Sequence, residues 1–204
     1  MFDSALAVAL SADGQYLAAG DTSGRLLIWQ VETGVLLASL MAHQAWIRDL
    51  AFLGDSHLFA SAGSDRAIHI WDWNGSRLKA IRTLEGHRHE VWSIAASKCG
   101  QYLVSGSDDS SVKIWDINRG QCLQTLDSHQ YPVRFVALSP SNDHLITFSV
   151  DQQVHRCTCP GNPSSTKIPG KLVAIRCEPE PSTPAEKKSP PAVMTMTVKS
   201  DYSM

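Results

Sequence analysis

The sequence contains no apolar run long enough to cross a bilayer and no strong excess of either charge. Its 204 residues include 18 Lys and Arg and 20 Asp and Glu side chains. A membrane-spanning helix needs about 18 or more apolar residues in succession, and a signal peptide needs a basic segment that the N-terminus lacks. This balance predicts no general attraction to nucleic acid or to an anionic membrane. We therefore expect a cytoplasmic protein.

Disulfide, helical and catalytic signatures are also missing. Five cysteines, an odd number in a chain of this size, argue against a disulfide framework. Helical periodicity is not evident anywhere. There is neither an HExxH metal motif nor a GxxxxGK[ST] phosphate loop. The sequence accordingly predicts no enzyme activity and no cofactor.

Proline is scarce before residue 160, and eight of the ten prolines lie in residues 160–204. Because proline removes backbone donors and this segment has little to bury, we expect it to be a largely disordered tail. An apolar run at 171–177 is the one candidate in it for a further strand.

A short sequence motif ending in tryptophan recurs along residues 1–159. Trp29, Trp71 and Trp115 are separated by 42 and 44 residues, and Cys157 takes the next place after another 42. A fixed period of this size indicates a repeat architecture. The chain is thus divided into four units, at about 4–43, 44–87, 88–129 and 130–159.

Each unit contains short β-branched and aromatic runs bounded by Gly, Asn or Asp. In the third unit these runs are 91–97, 101–106, 111–117 and 122–126. Such runs predict antiparallel strands joined by tight turns. We therefore predict an all-β protein with four strands in each unit.

The Gly-His pair at 86–87, the Trp-Asp pairs at 71–72 and 115–116 and the four-strand period resemble the WD40 repeat family. This resemblance implies that each unit is one blade of a β-propeller. It also implies a surface that binds other proteins, in a scaffold or sensor role such as that of the regular arrays in bacterial signalling proteins.

The resemblance further implies a hydrogen-bond chain inside each blade, from Trp through Ser or Thr and His to Asp. A buried indole N–H and a buried carboxylate are costly unless they are paired. By position the chains are His43, Ser61, Asp65 and Trp71 in unit two, His87, Ser105, Asp109 and Trp115 in unit three, and His129, Thr147 and Asp151 in unit four. Unit one lacks the pattern, with Ala19 and Ser23 at the Ser and Asp positions.

Partner contacts in the family recur three and five residues after the histidine and just before the turn Asp. These positions carry Trp46, Arg48, Ser64, Glu90, Trp92, Asp108 and Arg134, together with Pro132, Val150, Ser4, Leu6 and Thr22. Trp and Arg are enriched at interface hot spots. The hypothesis is that the first seven form a docking patch for proteins or peptides, against the alternative that the tryptophans only pack between blades.

One alternative concerning chemistry and three concerning the arrangement of the blades remain open. A metal or catalytic site would use His155, Cys157 and Cys159, which share one strand face but point in parallel. Four blades leave two open edges, which are pairing hazards. The chain is therefore interpreted either as part of a longer propeller or as half of a ring closed by a second copy, with a ring of four blades as a third arrangement.

Overall fold

The computed structural model describes residues 4–158 and the strand at 176–179 of the chain. These residues form sixteen strands in four antiparallel sheets of four strands each, which we call blades one to four. The predicted all-β architecture is confirmed. Among the residues described, there is no helix that could span a membrane.

The strands follow the chain in order within each blade. Blade one contains β1 (Ala5–Leu10), β2 (Tyr16–Asp21), β3 (Arg25–Gln30) and β4 (Leu36–Met41), and blade two contains β5 (Ile47–Phe52), β6 (Leu58–Gly63), β7 (Ile68–Trp73) and β8 (Leu78–Leu84). Blade three contains β9 (Val91–Ala96), β10 (Tyr102–Ser107), β11 (Val112–Asp116) and β12 (Gln121–Leu126), and blade four contains β13 (Val133–Leu138), β14 (His144–Ser149), β15 (Val154–Thr158) and β16 (Arg176–Pro179).

A residue in left-handed backbone closes the first hairpin of every blade. Gly14, Gly100 and Asn142 have φ angles of 71°, 68° and 58° at the same place in blades one, three and four, whereas blade two has Gly54, with 60°, two residues earlier in its turn. Left-handed backbone favours glycine, and asparagine tolerates it better than most residues. The turn residues therefore fix where the first hairpin of each blade closes.

The apolar core lies between the blades. The cluster between blades one and two includes Ile28 and Trp71, the next includes Ile70 and Trp115, and the third includes Ile114 with Cys157. One face of each blade thus packs on its predecessor and the other on its successor. The innermost strands β1, β5, β9 and β13 lie side by side in that order.

The last strand of blade four includes the final two residues of the run predicted at 171–177. The strand that pairs with β15 is Arg176–Pro179, with Cys177 opposite Cys157. Residues 171–175 lie outside the described residues, as do 159–170 and 180–204, which include most of the expected tail.

Candidate functional site

The hydrogen-bond chain of blade two is complete. Trp71 donates from Nε1 to Ser61 Oγ over 2.8 Å, and Ser61 Oγ lies 2.7 Å from His43 Nε2. His43 Nδ1 lies 2.8 Å from one carboxylate oxygen of Asp65 and 3.0 Å from the other. With the proton on Nδ1, each donor meets an acceptor from the blade interior to the turn. Gly63 is required here because a Cβ would overlap the His43 ring.

Blade three repeats this geometry. Trp115 donates to Ser105 Oγ over 2.9 Å, and Ser105 Oγ lies 2.7 Å from His87 Nε2. His87 Nδ1 lies 2.9 Å from Asp109, which also accepts from the backbone N–H of Arg88 and from the Ser111 hydroxyl. The loop before β9 and the turn before β11 are therefore tied to one carboxylate.

These contacts lower the pKa of both carboxyls. Burial alone would raise the pKa of Asp65, but the hydrogen bond and charge of His43, with backbone N–H groups, outweigh it and lower the pKa to about 2. The pKa of Asp109 is lowered in the same way by His87 and Ser111, again against burial. Both side chains are therefore ionised acceptors at neutral pH.

Blade four corrects one of the sequence predictions. His129 Nε2 lies 2.7 Å from Thr147 Oγ1, as the pattern implies, but Asp151 does not reach the ring. Asp151 instead accepts the backbone N–H of Gln153, and His129 Nδ1 is buried without a partner among the described residues. The His129 ring stacks on the ring of His155, with 4.2 Å between their centroids.

This stacked pair predicts that blade four is sensitive to acid. Burial first, and then the neighbouring His155, lowers the pKa of His129 below its ordinary value of 6.5, although Asp151 opposes the shift. Below pH 6.5 the unfolded chain therefore binds more protons at His129 than the folded chain does. The contribution of neutral His129 to stability is complete above pH 6.5 and is lost as the pH falls. Urea unfolding at pH 7.5 and 5.5 should show a smaller pH effect in His155→Leu than in the natural chain. An unchanged difference would contradict the coupling.

Blade one has a turn carboxylate that the repeat positions did not predict. Asp21 Oδ1 accepts from the backbone N–H groups of Ser23 and Arg25 and from the Ser23 hydroxyl. Asp21 therefore supplies the carboxylate that holds the turn, two residues before the position inferred from the repeat. Its Asp-x-Ser spacing is a general turn signal that identifies it only after the turn is known.

The loops between blades and the β2–β3, β6–β7, β10–β11 and β14–β15 turns lie at one end of the blades, which we call the loop rim. Four side chains on it form an alternating stack. The guanidinium carbon of Arg48 lies 4.5 Å from the Trp46 ring centroid and 3.8 Å from that of Trp92. The guanidinium carbon of Arg134 lies 3.7 Å from the Trp92 centroid. Two guanidinium groups this close cannot share one ring face, so they sandwich Trp92. We call Trp46, Arg48, Trp92 and Arg134 the Trp–Arg ladder.

Each arginine of the ladder also has an acidic partner from a neighbouring blade. Arg48 donates to Glu90 over 2.7 Å and to Ser64 Oγ over 2.8 Å, and Arg134 lies 3.0 Å from a carboxylate oxygen of Asp108. All seven residues predicted for the docking patch thus lie together on the loop rim. Burial tends to raise the pKa of Glu90, but its contacts with Arg48 and Ser64 lower it overall.

Exposure divides the ladder into inner and outer members. The side chain of Arg48 is 13% exposed and that of Arg134 is 32% exposed, whereas Trp46 is 45% exposed. Cation–π contacts contribute about 0.5–2 kcal/mol each, more when they are desolvated. Arg48 therefore joins blades two and three, while Trp46 and Arg134 keep more of their surface exposed.

A buried carboxylate that the sequence pattern does not reveal also joins two blades. Asp49 accepts the backbone N–H of Ile94 in the next blade over 2.8 Å, and burial raises its pKa. Ser93 makes the equivalent contact one blade further, accepting the N–H of Val136. Both residues follow or lie beside a register shift in the innermost strand. The backbone N–H groups are available to Asp49 and Ser93 because of these register shifts. The sequence alone therefore could not predict the two contacts.

The structure describes two members of the alternative metal set. Cys157 lies in the apolar cluster between blades three and four, and His155 stacks on His129. Cys159 lies outside the described residues. Within the described part, His43, Asp65 and His69 do place ligand atoms within 4.8 Å of one another. Both ring nitrogens of His43 already form hydrogen bonds inside blade two, however, so a metal ion there would break the bond to Ser61 or the bond to Asp65.

Stacked four-stranded blades, two of them held by complete Trp–Ser–His–Asp chains, define a β-propeller repeat protein. Comparison with protein families agrees, because the description "WD domain, G-beta repeat" matches residues 3–30, 34–72, 78–116 and 120–155. The chain belongs to the WD40 repeat family, whose propellers are modules for protein interaction.

Two known proteins illustrate the similarity. The chain is 31% identical to "Nuclear distribution protein PAC1-2" of Uncinocarpus reesii (strain UAMH 1704), in a match covering 52% of this chain and 27% of that protein. It also superposes on a chain from the crystal structure of the mitotic checkpoint complex with a TM-score of 0.71 and 31% identity, covering 76% of this chain and 48% of the other. The chain thus spans about a quarter and about half of the lengths of these two proteins.

Proposed function

We propose that this chain is a non-catalytic scaffold whose protein-docking surface is the Trp–Arg ladder on the loop rim. The observation that carries the proposal is the continuous stack of Trp46, Arg48, Trp92 and Arg134 across three blades. The aromatic rings are rigid, and stacking and ion pairs already hold both arginines, so these side chains lose little conformational entropy on binding.

The charges of the surface suggest the kind of partner. Glu90 and Asp108 already neutralise the two arginines, so the ladder offers flat apolar ring surface with polar edges and little net charge. Such a surface suits a peptide that places an apolar or aromatic side chain on the exposed Trp46. It is poorly suited to a polyanion.

Catalysis has no comparable support. The His, Ser and Asp side chains of blades two and three are joined to a tryptophan and are used within the blade. The proposal therefore places this chain in a scaffold or sensor role, with signalling as the context that the resemblance implies. A second role, as half of a ring formed by two copies, is favoured by the apolar side chains exposed on both end blades.

Replacement of the central ring tests the docking surface. Trp92→Ala should lower partner capture about tenfold or more, because both arginines lose their stacking surface, while Tm changes by only a few degrees. Proteins enriched from a lysate by the immobilised natural chain would be quantified on the variant. The matched control is Ile81→Ala, which alters an exposed side chain on β8 away from the rim. Equal losses of partner capture in both variants, or a large fall in the Tm of Trp92→Ala, would show that Trp92 packs between blades and does not bind the partner.

A further inference from the structure

Every internal junction between blades combines a small residue with a β-branched one. Gly20 of β2 lies against Ile47 of the next blade, where a Cβ would overlap the isoleucine. A Cβ on Gly106 would lie 2.7 Å from Val133 Cγ1. At the middle junction Ala62 and Val91 are fully buried in the same cluster. The blade that comes first thus supplies the small residue, and the blade that follows supplies the large one.

The two end blades reverse this pattern. The residue of blade four at the place of Gly20, Ala62 and Gly106 is Phe148, which is exposed. The residue of blade one at the place of Ile47, Val91 and Val133 is Ala5, which is also exposed. A blade with a β-branched residue at that place could not pack on Phe148 as the internal blades do. A blade with alanine there leaves room for the ring.

We propose that two copies of this chain join head to tail, with blade one of each copy packed on blade four of the other. Phe148 of one copy then fills the space above Ala5 of the second copy. This inference rests on the second role named above, the ring of two copies, and specifies its junction; it does not depend on the docking role of the loop rim. Two such junctions, related by a two-fold axis, would close a ring of eight blades.

The other exposed residues on these two faces also suit packing against a second copy of the chain. Blade four exposes apolar side chains toward the missing neighbour, namely Phe135, Ile146, Phe148 and Val154. Blade one exposes the positions that internal blades use against their predecessor, namely Val8, Leu10 and Val31. Several exposed apolar side chains on one face indicate an interaction site. Ring closure would also cover the two faces that end the arc of blades.

A size-swap experiment tests the junction. The mass in solution would be measured by light scattering for the full chain, for Ala5→Ile, for Phe148→Gly and for the double variant. The natural chain should have twice its formula mass of 22.3 kDa. Ala5→Ile should be monomeric at concentrations where the natural chain is dimeric, because the isoleucine and the phenylalanine cannot share the site. Phe148→Gly should weaken the dimer, and the double variant should restore it by recreating the Gly20–Ile47 pair.

Each outcome decides the proposal. Ala5 and Phe148 are exposed in the single chain, so circular dichroism should show the same fold in all four proteins. A monomeric natural chain would overturn the proposal, as would a dimer that persists in Ala5→Ile. Failure of the double variant to dimerise would show that some other pair governs association. None of these results alters partner capture by the loop rim, so the two proposals fail separately.

Discussion

Asp109→Ala should lower the free energy of unfolding by about 3 kcal/mol. The alanine leaves His87 Nδ1, the Ser111 hydroxyl and the backbone N–H of Arg88 without their acceptor. An unpaired buried donor costs about 1–3 kcal/mol, and the His87 side chain is only 1% exposed. Urea unfolding followed by circular dichroism at neutral pH would measure the loss.

Asp151→Ala is the matched control for that measurement. Asp151 occupies the same place in blade four, but the structure gives it the backbone N–H of Gln153 and no bond to His129. Its removal should cost less than about 1 kcal/mol. Equal losses in the two variants would refute the distinction between an intact and a broken chain.

The Asp109→Ala variant should also differ in its response to acid. Because the folded pKa of Asp109 lies below its ordinary value of 3.8, the carboxylate contributes fully above that pH and less as the pH falls through the folded value. The difference in stability between the natural chain and the variant should therefore shrink between pH 5 and pH 2. A difference that stays constant would mean that ionised Asp109 is not the source of the stability.

Gly106→Leu should cost more than about 3 kcal/mol and loosen blade four from blade three. A Cβ at residue 106 would lie 2.7 Å from Val133 Cγ1 and 3.0 Å from Val136 Cγ1, and the leucine adds three further carbons there. Overpacking of a closed core costs about 1–3 kcal/mol or more, and here both opposing side chains belong to one strand. Hydrogen exchange should accelerate selectively in residues 133–138.

Gly106→Ala separates the effect of bulk from the loss of glycine. Blade two already has Ala62 at this place, fully buried against its neighbour. The alanine should therefore cost less than about 1.5 kcal/mol through small adjustments of the junction. If alanine and leucine are equally destabilising, the small-residue requirement does not come from packing against blade four.

The repeated fold could be predicted because each of its parts is local in the sequence. The spacing of Trp29, Trp71 and Trp115 fixes the period, and alternating runs between turn residues fix the strands. The hydrogen-bond chains of blades two and three were likewise predictable, since all four members recur at constant spacing. Asp151 shows the limit of this reasoning, because the residue is retained while the contact with His129 is not.

Contacts between blades were not predictable in the same way. The positions of Trp46, Arg48, Trp92 and Arg134 suggested a shared rim, but spacing cannot show that Arg48 stacks on Trp92 more than 40 residues away. The ion pair of Arg48 with Glu90 and the Asp49 contact to Ile94 depend on how two blades face each other. These distances are set by the curvature of the blade array, which a single repeat does not encode.

Photo-crosslinking from the loop rim tests the central proposal most directly. A photoreactive phenylalanine analogue would replace Trp46 on the rim, and in a separate protein it would replace Val35, an exposed residue at the opposite end of blade one. The docking surface proposed here predicts a crosslinked partner polypeptide from position 46 and none from position 35. A partner crosslinked from position 35 and absent from position 46 would contradict it.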